Sequence, residues 1–273
     1  MPKYKIIATD LDGTLFNSRA DLSEENIAAI RTLIEKGVQV VPSSGRTLHE
    51  MPPVIRDNPL FRYIIHSDGA SIYDRVEDKF HGVYMDNALT NEVLDMLDEY
   101  EVHYTVRIFG KSYRDTRDSD AVLNHFRYTL PYQRFLRYFI EPRYDFDTFN
   151  RRQEAVEMIC INFHLPEEQA AFARRIDEHP LLSCTSSDVA NIEVYHKDAG
   201  KGNGLWRLAD LLGVDRADTI AVGDSHNDLS NIQAAGLGLA MGNAWEDVKA
   251  MADAVICHND EHAMQYILEH YID

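Results

Sequence analysis

"ATDLDGTLF", residues 8–16, directly follows the apolar pair Ile6 and Ile7. The run from residue 4 to residue 8 reads as a short buried strand, and Asp12-Gly13-Thr14 breaks it. Asp10 and Asp12 therefore lie one residue apart where a strand ends. Extended backbone points i and i+2 side chains to one face. Three readings are open for the pair: a metal site, a nucleophile with its acid, or a polar turn. The rest of the chain has to choose among them.

Working outward, Ser23 is placed as a helix N-cap, with Leu22 set to pack on Ile27. Ile27, Ile30 and Ile34 recur at helical spacing, and Gly37 ends the helix. Val38, Val40 and Val41 form a second apolar run, closed by "PSSGR" (42–46). Residues 63–65 form a third, closed by "HSDGA" (66–70). Strand, helix and strand in alternation predict a parallel sheet flanked by helices. The pattern returns late in the chain. Leu205, Leu208, Leu211 and Leu212 mark a helix ending at Gly213, and 219–224, 236–242 and 253–257 are strand candidates around a helix at 229–236. Between these halves, residues 85–188 differ, being rich in Tyr, Phe and Arg, with a strand near 155–165 and a helix at 166–179. The expected organisation is a discontinuous core, 1–84 and 189–273, carrying an inserted α/β domain at 85–188.

The chain has 273 residues, 45% of them apolar, enough for a sizeable core. Its formal net charge of −18 repels nucleic acid and anionic membranes, so neither is an expected partner. An anionic small molecule would need cations gathered locally. Cys160, Cys184 and Cys257 lie far apart and form no C-x-x-C, which argues against a disulfide framework or a zinc site. Free thiols, a strand-like run directly after Met1 and no long apolar segment give a cytoplasmic expectation.

Four polar clusters punctuate the α/β halves: Asp10, Asp12 and Thr14; Ser43, Ser44, Gly45 and Arg46; Lys201; and Asp224, Asn227 and Asp228 in "GDSHND". Ligands of open α/β sheets bind beyond the carboxyl ends of the strands, so these clusters are expected to converge. Carboxylate oxygens of Asp10 and Asp224 suit a hard cation, and Mg²⁺ is the usual one in phosphate chemistry. A carboxylate can attack phosphorus, and a second can protonate the leaving oxygen and later activate water. Ser44 and the Gly45 N–H can hydrogen-bond phosphoryl oxygens.

With these residues in order, the sequence resembles the haloacid dehalogenase (HAD) superfamily, and within it the Cof-type, class IIB sugar-phosphatase-like group. "DLDGTL", "SSGR", Lys201-Gly202 and "GDSHND" stand for its four motifs, and "MGNA" (241–244) for a late core turn. The resemblance implies a Rossmann-like core with an inserted α/β cap and a Mg²⁺-dependent phosphatase acting on a small phosphorylated metabolite. By the same resemblance Asp10 is the nucleophile and a metal ligand. Asp12 is the acid/base, with its carbonyl on the metal, and Asp224 is the third ligand. Ser44, Gly45, Lys201 and Asn227 bind phosphate, and Asp228 supports the site. Arg46 and Asp68 are candidate substrate contacts. The group commonly has Asn where this chain has Asp68, and an ionised Asp only accepts hydrogen bonds. A phosphomutase of the phosphomannomutase kind is the alternative enzyme, and a non-catalytic metabolite binder the third reading. A binder has no use for a nucleophile and its acid.

Overall fold

The computed structural model describes residues 2–126, 128–186 and 191–272. The first stretch of chain forms β1 (Ile6–Thr9), α1 (Glu24–Glu35), β2 (Gln39–Pro42), α2 (Pro53–Arg56), β3 (Tyr63–His66), β4 (Ser71–Asp74) and β5 (Lys79–Gly82). The middle adds α3 (Asn87–Leu97), β6 (Val102–Ile108), β7 (Lys111–Asp115), α4 (Asp120–His125), α5 (Leu130–Phe139), β8 (Glu141–Arg143), α6 (Phe146–Asn150), β9 (Met158–Phe163), α7 (Pro166–Asp177), β10 (Leu182–Thr185) and β11 (Asn191–His196). The last stretch gives α8 (Lys201–Leu212), β12 (Thr219–Gly223), α9 (Leu229–Ala234), β13 (Leu237–Ala240), α10 (Glu246–Met251), β14 (Ala254–Val255) and α11 (Ala263–Tyr271).

Two compact units result. One comprises Met1–Arg46, Met51–Gly82 and Gly200–Asp273; the other comprises Thr47–Glu50 and Val83–Ala199. The division falls after Gly82 where the sequence placed it after residue 84; the other expected boundary, 188/189, lies outside the described residues, and the second unit runs on to Ala199, taking β11 with it. The sequence did not anticipate that Thr47–Glu50 belongs with the middle of the chain. His49 N donates to Gly110 O at 2.9 Å, and Ser112 Oγ donates to Glu50 Oε1 at 2.6 Å.

In the first unit a parallel sheet runs β14-β13-β12-β1-β2. β3 joins it beside β2 through a parallel bridge between Ser43 and Ile65. β1 is buried at every position because strands flank it on both sides and helices cover its faces. That is why its sequence is a continuous apolar run rather than an alternation. Leu205, Leu208 and Ala209 of α8 pack on Ile6, Ala8, Val41 and Ala221. Truncating Leu205 to Ala would cost about 2–5 kcal/mol. Leu211, grouped with that stripe on sequence, is exposed.

Two further readings need correction. The buried face of α1 is Asn26, Ala29, Ile30 and Leu33, not the Ile27–Ile30–Ile34 stripe. Asn26 faces inward because its amide donates to Leu15 O and its carbonyl accepts from Met264 N. Residues 71–82, where the sequence reading placed no element, also form structure. They make a hairpin, β4–β5, its turn held by Val76 N and Glu77 N donating to Asp74 Oδ1.

The second unit has its own six-stranded sheet, β10-β11-β9-β6-β7-β8, antiparallel except for β7–β8. Val106, Ile159, Ile161 and Val194 turn one face to a core built with α3 and α7. The period-two alternation then puts Thr105, Arg107, Cys160 and Glu193 on the other face. The aromatic and basic segment 127–144, apart from residue 127, which lies outside the described residues, forms α5 and β8. Leu136 and Ile140 pack with Leu123 while Tyr138 and Tyr144 are exposed.

Candidate active site

Three of the four polar clusters stand at carboxyl ends of neighbouring parallel strands: Asp10 after β1, Ser43–Arg46 after β2 and Asp224 after β12. Lys201 opens α8. Its fully buried ammonium donates to Asp10 Oδ1 and to Asp228 Oδ1, each at 2.7 Å. Asp228 Oδ2 accepts from the backbone N–H groups of Asp224 and Ser225 at 3.1 and 3.2 Å. Both Asp228 oxygens are thus committed, which makes this carboxylate a clamp on the turn and on Lys201.

Asp10, Asp224 and Asp228 each offer an oxygen within 4.8 Å of the others. Three carboxylates around one ammonium leave a net negative charge in a buried place. Burial first, then the charges of Asp228 and Asp224, push Asp10 well above the carboxylate range, against the pull of Lys201. Burial and Asp228 push Asp224 up to about 6, opposed by the Thr14 hydroxyl, which donates to Asp224 Oδ1 at 3.2 Å. Burial alone would lower Lys201, but Asp10, Asp228 and Asp68 outweigh it and hold it as an ammonium. The all-oxygen donor set and the excess negative charge fit a hard divalent cation.

The turn that follows the two acids of β1's end, Asp10 and Asp12, is set by Gly13, at φ +80°. A Cβ there would stand 2.5 Å from Asp224 Oδ2, so only glycine lets the turn approach that carboxylate. Asp12 has a different environment from Asp10. Its side chain is 53% exposed, and it accepts from Arg46 Nε at 2.9 Å and Nη2 at 3.1 Å, a two-pronged pair. Asn243, quoted in "MGNA" without a role, donates to Gly13 O at 2.7 Å and accepts from Asn259 N. Sequence reasoning missed that tie because nothing local links residues so far apart.

Ser44 is buried at the end of β2, its N donating to Ile65 O and its Oγ accepting from Arg46 N. Asp68 lies beside it, its N donating to Ser44 O at 3.2 Å. Asn227 is brought to the same turn as Asp224, but its contact is Ser225, whose hydroxyl donates to Asn227 Oδ1 at 2.6 Å. The geometry therefore gathers Asp10, Lys201, Asp224 and Asp228, pairs Asp12 with Arg46, and sets Ser44, Gly45 and Asp68 side by side. Of the histidines, His66 and His103 are buried, and His226 bonds Asp247 at the surface.

A family model described as haloacid dehalogenase-like hydrolase matches residues 7–268. The chain belongs to the haloacid dehalogenase-like hydrolase family. This hydrolase is 33% identical to phosphatase YwpJ of Bacillus subtilis over 98% of its own length and 100% of that protein's. It is 28% identical to the 5-amino-6-(5-phospho-D-ribitylamino)uracil phosphatase YwtE of the same organism, over 97% of each chain. Among solved structures, a haloacid dehalogenase-like hydrolase from B. subtilis superposes with a TM-score of 0.81 at 31% identity, covering 97% of this chain and 99% of that one. The fold is therefore the Rossmann-like core with an inserted cap. No described helix is long and apolar enough to cross a membrane.

Proposed function

We propose that this hydrolase is a Mg²⁺-dependent phosphatase that cleaves small phosphorylated metabolites through a phosphoryl group carried on Asp10. Phosphatase chemistry rests on the family and on the phosphatases among its relatives. The observation that carries the finer reading is the buried Lys201 bridging Asp10 and Asp228, with Asp224 alongside. A lysine so placed holds one oxygen of Asp10 and leaves the other for attack on phosphorus.

Asp10 and Asp224, with the backbone carbonyl of Asp12, would hold the cation. When bound, Mg²⁺ would neutralise charge on the phosphoryl oxygens. The chain's own residues supply the rest. Ser44 and the Gly45 N–H are offered to phosphoryl oxygens, and Lys201 adds positive charge. Asp12 is the proton carrier. Arg46 occupies both oxygens of Asp12, so that pair has to open before Asp12 can pass a proton to the leaving oxygen. A polyol phosphate fits the substrate class, since the relative named above acts on a phosphoribityl compound.

The test is phosphate release from p-nitrophenyl phosphate, with Mg²⁺ and with EDTA, by the wild type and Asp10→Asn. The reading requires Mg²⁺-dependent release that is lost in Asp10→Asn. Unaffected release in EDTA would remove the metal, and substantial release by Asp10→Asn would remove the nucleophile.

A further inference from the structure

Asp68 has a buried carboxyl group to which no described residue donates a hydrogen bond. The residue is only 3% exposed, and neither carboxyl oxygen has a hydrogen-bond partner among the described residues. Burying a carboxylate without a donor is unfavourable. The backbone accounts for a short polar side chain here but not for its charge. Ser67, Asp68 and Gly69 have φ of +50°, +47° and +80°, a left-handed turn that Asn accommodates as well as Asp. The location then points to a ligand. The Gly45 Cα faces the carboxylate so closely that a Cβ there would stand 3.1 Å from both oxygens. Asp68 N donates to Ser44 O, and the Lys201 ammonium lies in the field of the Asp68 charge. The orphaned acceptor thus adjoins the Ser44–Gly45 turn offered to the phosphoryl group.

We propose that Asp68 accepts a hydrogen bond from a hydroxyl or ammonium group of the bound phosphate ester, and so selects monoesters that carry a donor close to the phosphorus. This rests on the phosphatase reading of the same site. A donor completes the carboxylate; an ester without one leaves it buried and unanswered, with its charge repelling the phosphate. One such charge-assisted bond discriminates by about tenfold or more. The same chemistry has a second source, the P–OH of a singly protonated phosphoryl group.

The experiment measures binding in the Asp10→Asn background with Mg²⁺, so that ligands survive. Calorimetry compares glycerol 3-phosphate with propyl phosphate, and orthophosphate with sulfate, before and after Asp68→Asn and Asp68→Ala. The expected result is a preference for glycerol 3-phosphate over propyl phosphate that falls at least about tenfold in Asp68→Ala. A preference for orthophosphate over sulfate that collapses instead assigns the donor to the phosphoryl group itself. If both variants keep both ratios within about twofold while still binding orthophosphate, the proposal is overturned. Turnover of p-nitrophenyl phosphate by the protein with Asp10 intact reports on the phosphatase reading separately.

Discussion

Buried acids are treated differently in the two units. In the second unit several have partners of their own. Glu50 accepts from Ser112 Oγ and Thr47 N, Glu157 accepts from Gly110 N, Glu193 faces Arg107 at 3.7 Å, and Asp118 stands 3.0 Å from His103 and 3.8 Å from Arg114. In the first unit Asp10 and Asp228 share the Lys201 ammonium with Asp224 alongside, and Asp68 has no hydrogen-bond donor among the described residues. Isolated buried charge is costly, so an uncompensated cluster marks a place completed by something from outside the chain. The first unit also holds an answered acid, Asp74, which accepts from Arg62, Val76 N and Glu77 N, so the contrast is confined to the turns around Asp10.

The contrast can be broken most sharply at Asp10. Asp10→Asn is expected to lower phosphate release at least about a thousandfold while leaving thermal stability unchanged or raised, because it removes one uncompensated charge. A loss of stability together with activity would mean that Asp10 is structural after all. Lys201→Met tests the other side of the cluster. Stripping the one ammonium from Asp10 and Asp228 is expected to cost about 3–5 kcal/mol in urea unfolding. A near-neutral result would show that the acids are not held as charges.

Within the second unit, Asp118→Asn is expected to cost about 1–3 kcal/mol, since it removes an answered acid and leaves Arg114 without it. If Asp118→Asn stabilised the protein as neutralising a site acid should, the distinction between the units would fall. The smallest effect is a pH dependence. Asp224 titrates near about 6 in the fold against 3.8 for an unperturbed Asp, so the metal-free folded state binds this proton more tightly than the unfolded chain. Its contribution therefore makes the metal-free protein more stable as pH falls through about 6, and less so above it. A divalent cation competes with that proton. The rise in Tm produced by MgCl₂ should be larger at about pH 7.5 than at about pH 5; equal rises would detach the cation from Asp224.

The sequence showed the core strands because a strand buried on both faces is a plain apolar run, as in Ile6–Thr9. It offered Asp10, Ser44, Lys201 and Asp224 as candidates because each follows or opens an element at a break in that pattern. It did not show the inward face of α1, since Asn26 is polar and is buried only through partners at Leu15 and Met264. It did not show β4–β5, whose polar turn hides two four-residue strands. Nor could it pair Arg46 with Asp12 or Asn243 with Gly13, because such pairs are set by how the chain comes together in space. The charge imbalance of the site is of that kind too.

The Asp10–Lys201 contact spans 191 residues of chain, and the Thr14–Asp224 contact spans 210. The acidic turn is therefore made early and its partners late. At roughly 5–20 residues per second, Asp10 waits about 10–40 s on the ribosome before Lys201 has been added. Until then the nascent chain carries the acidic turn without the ammonium that binds it, and Asp224 is added later still.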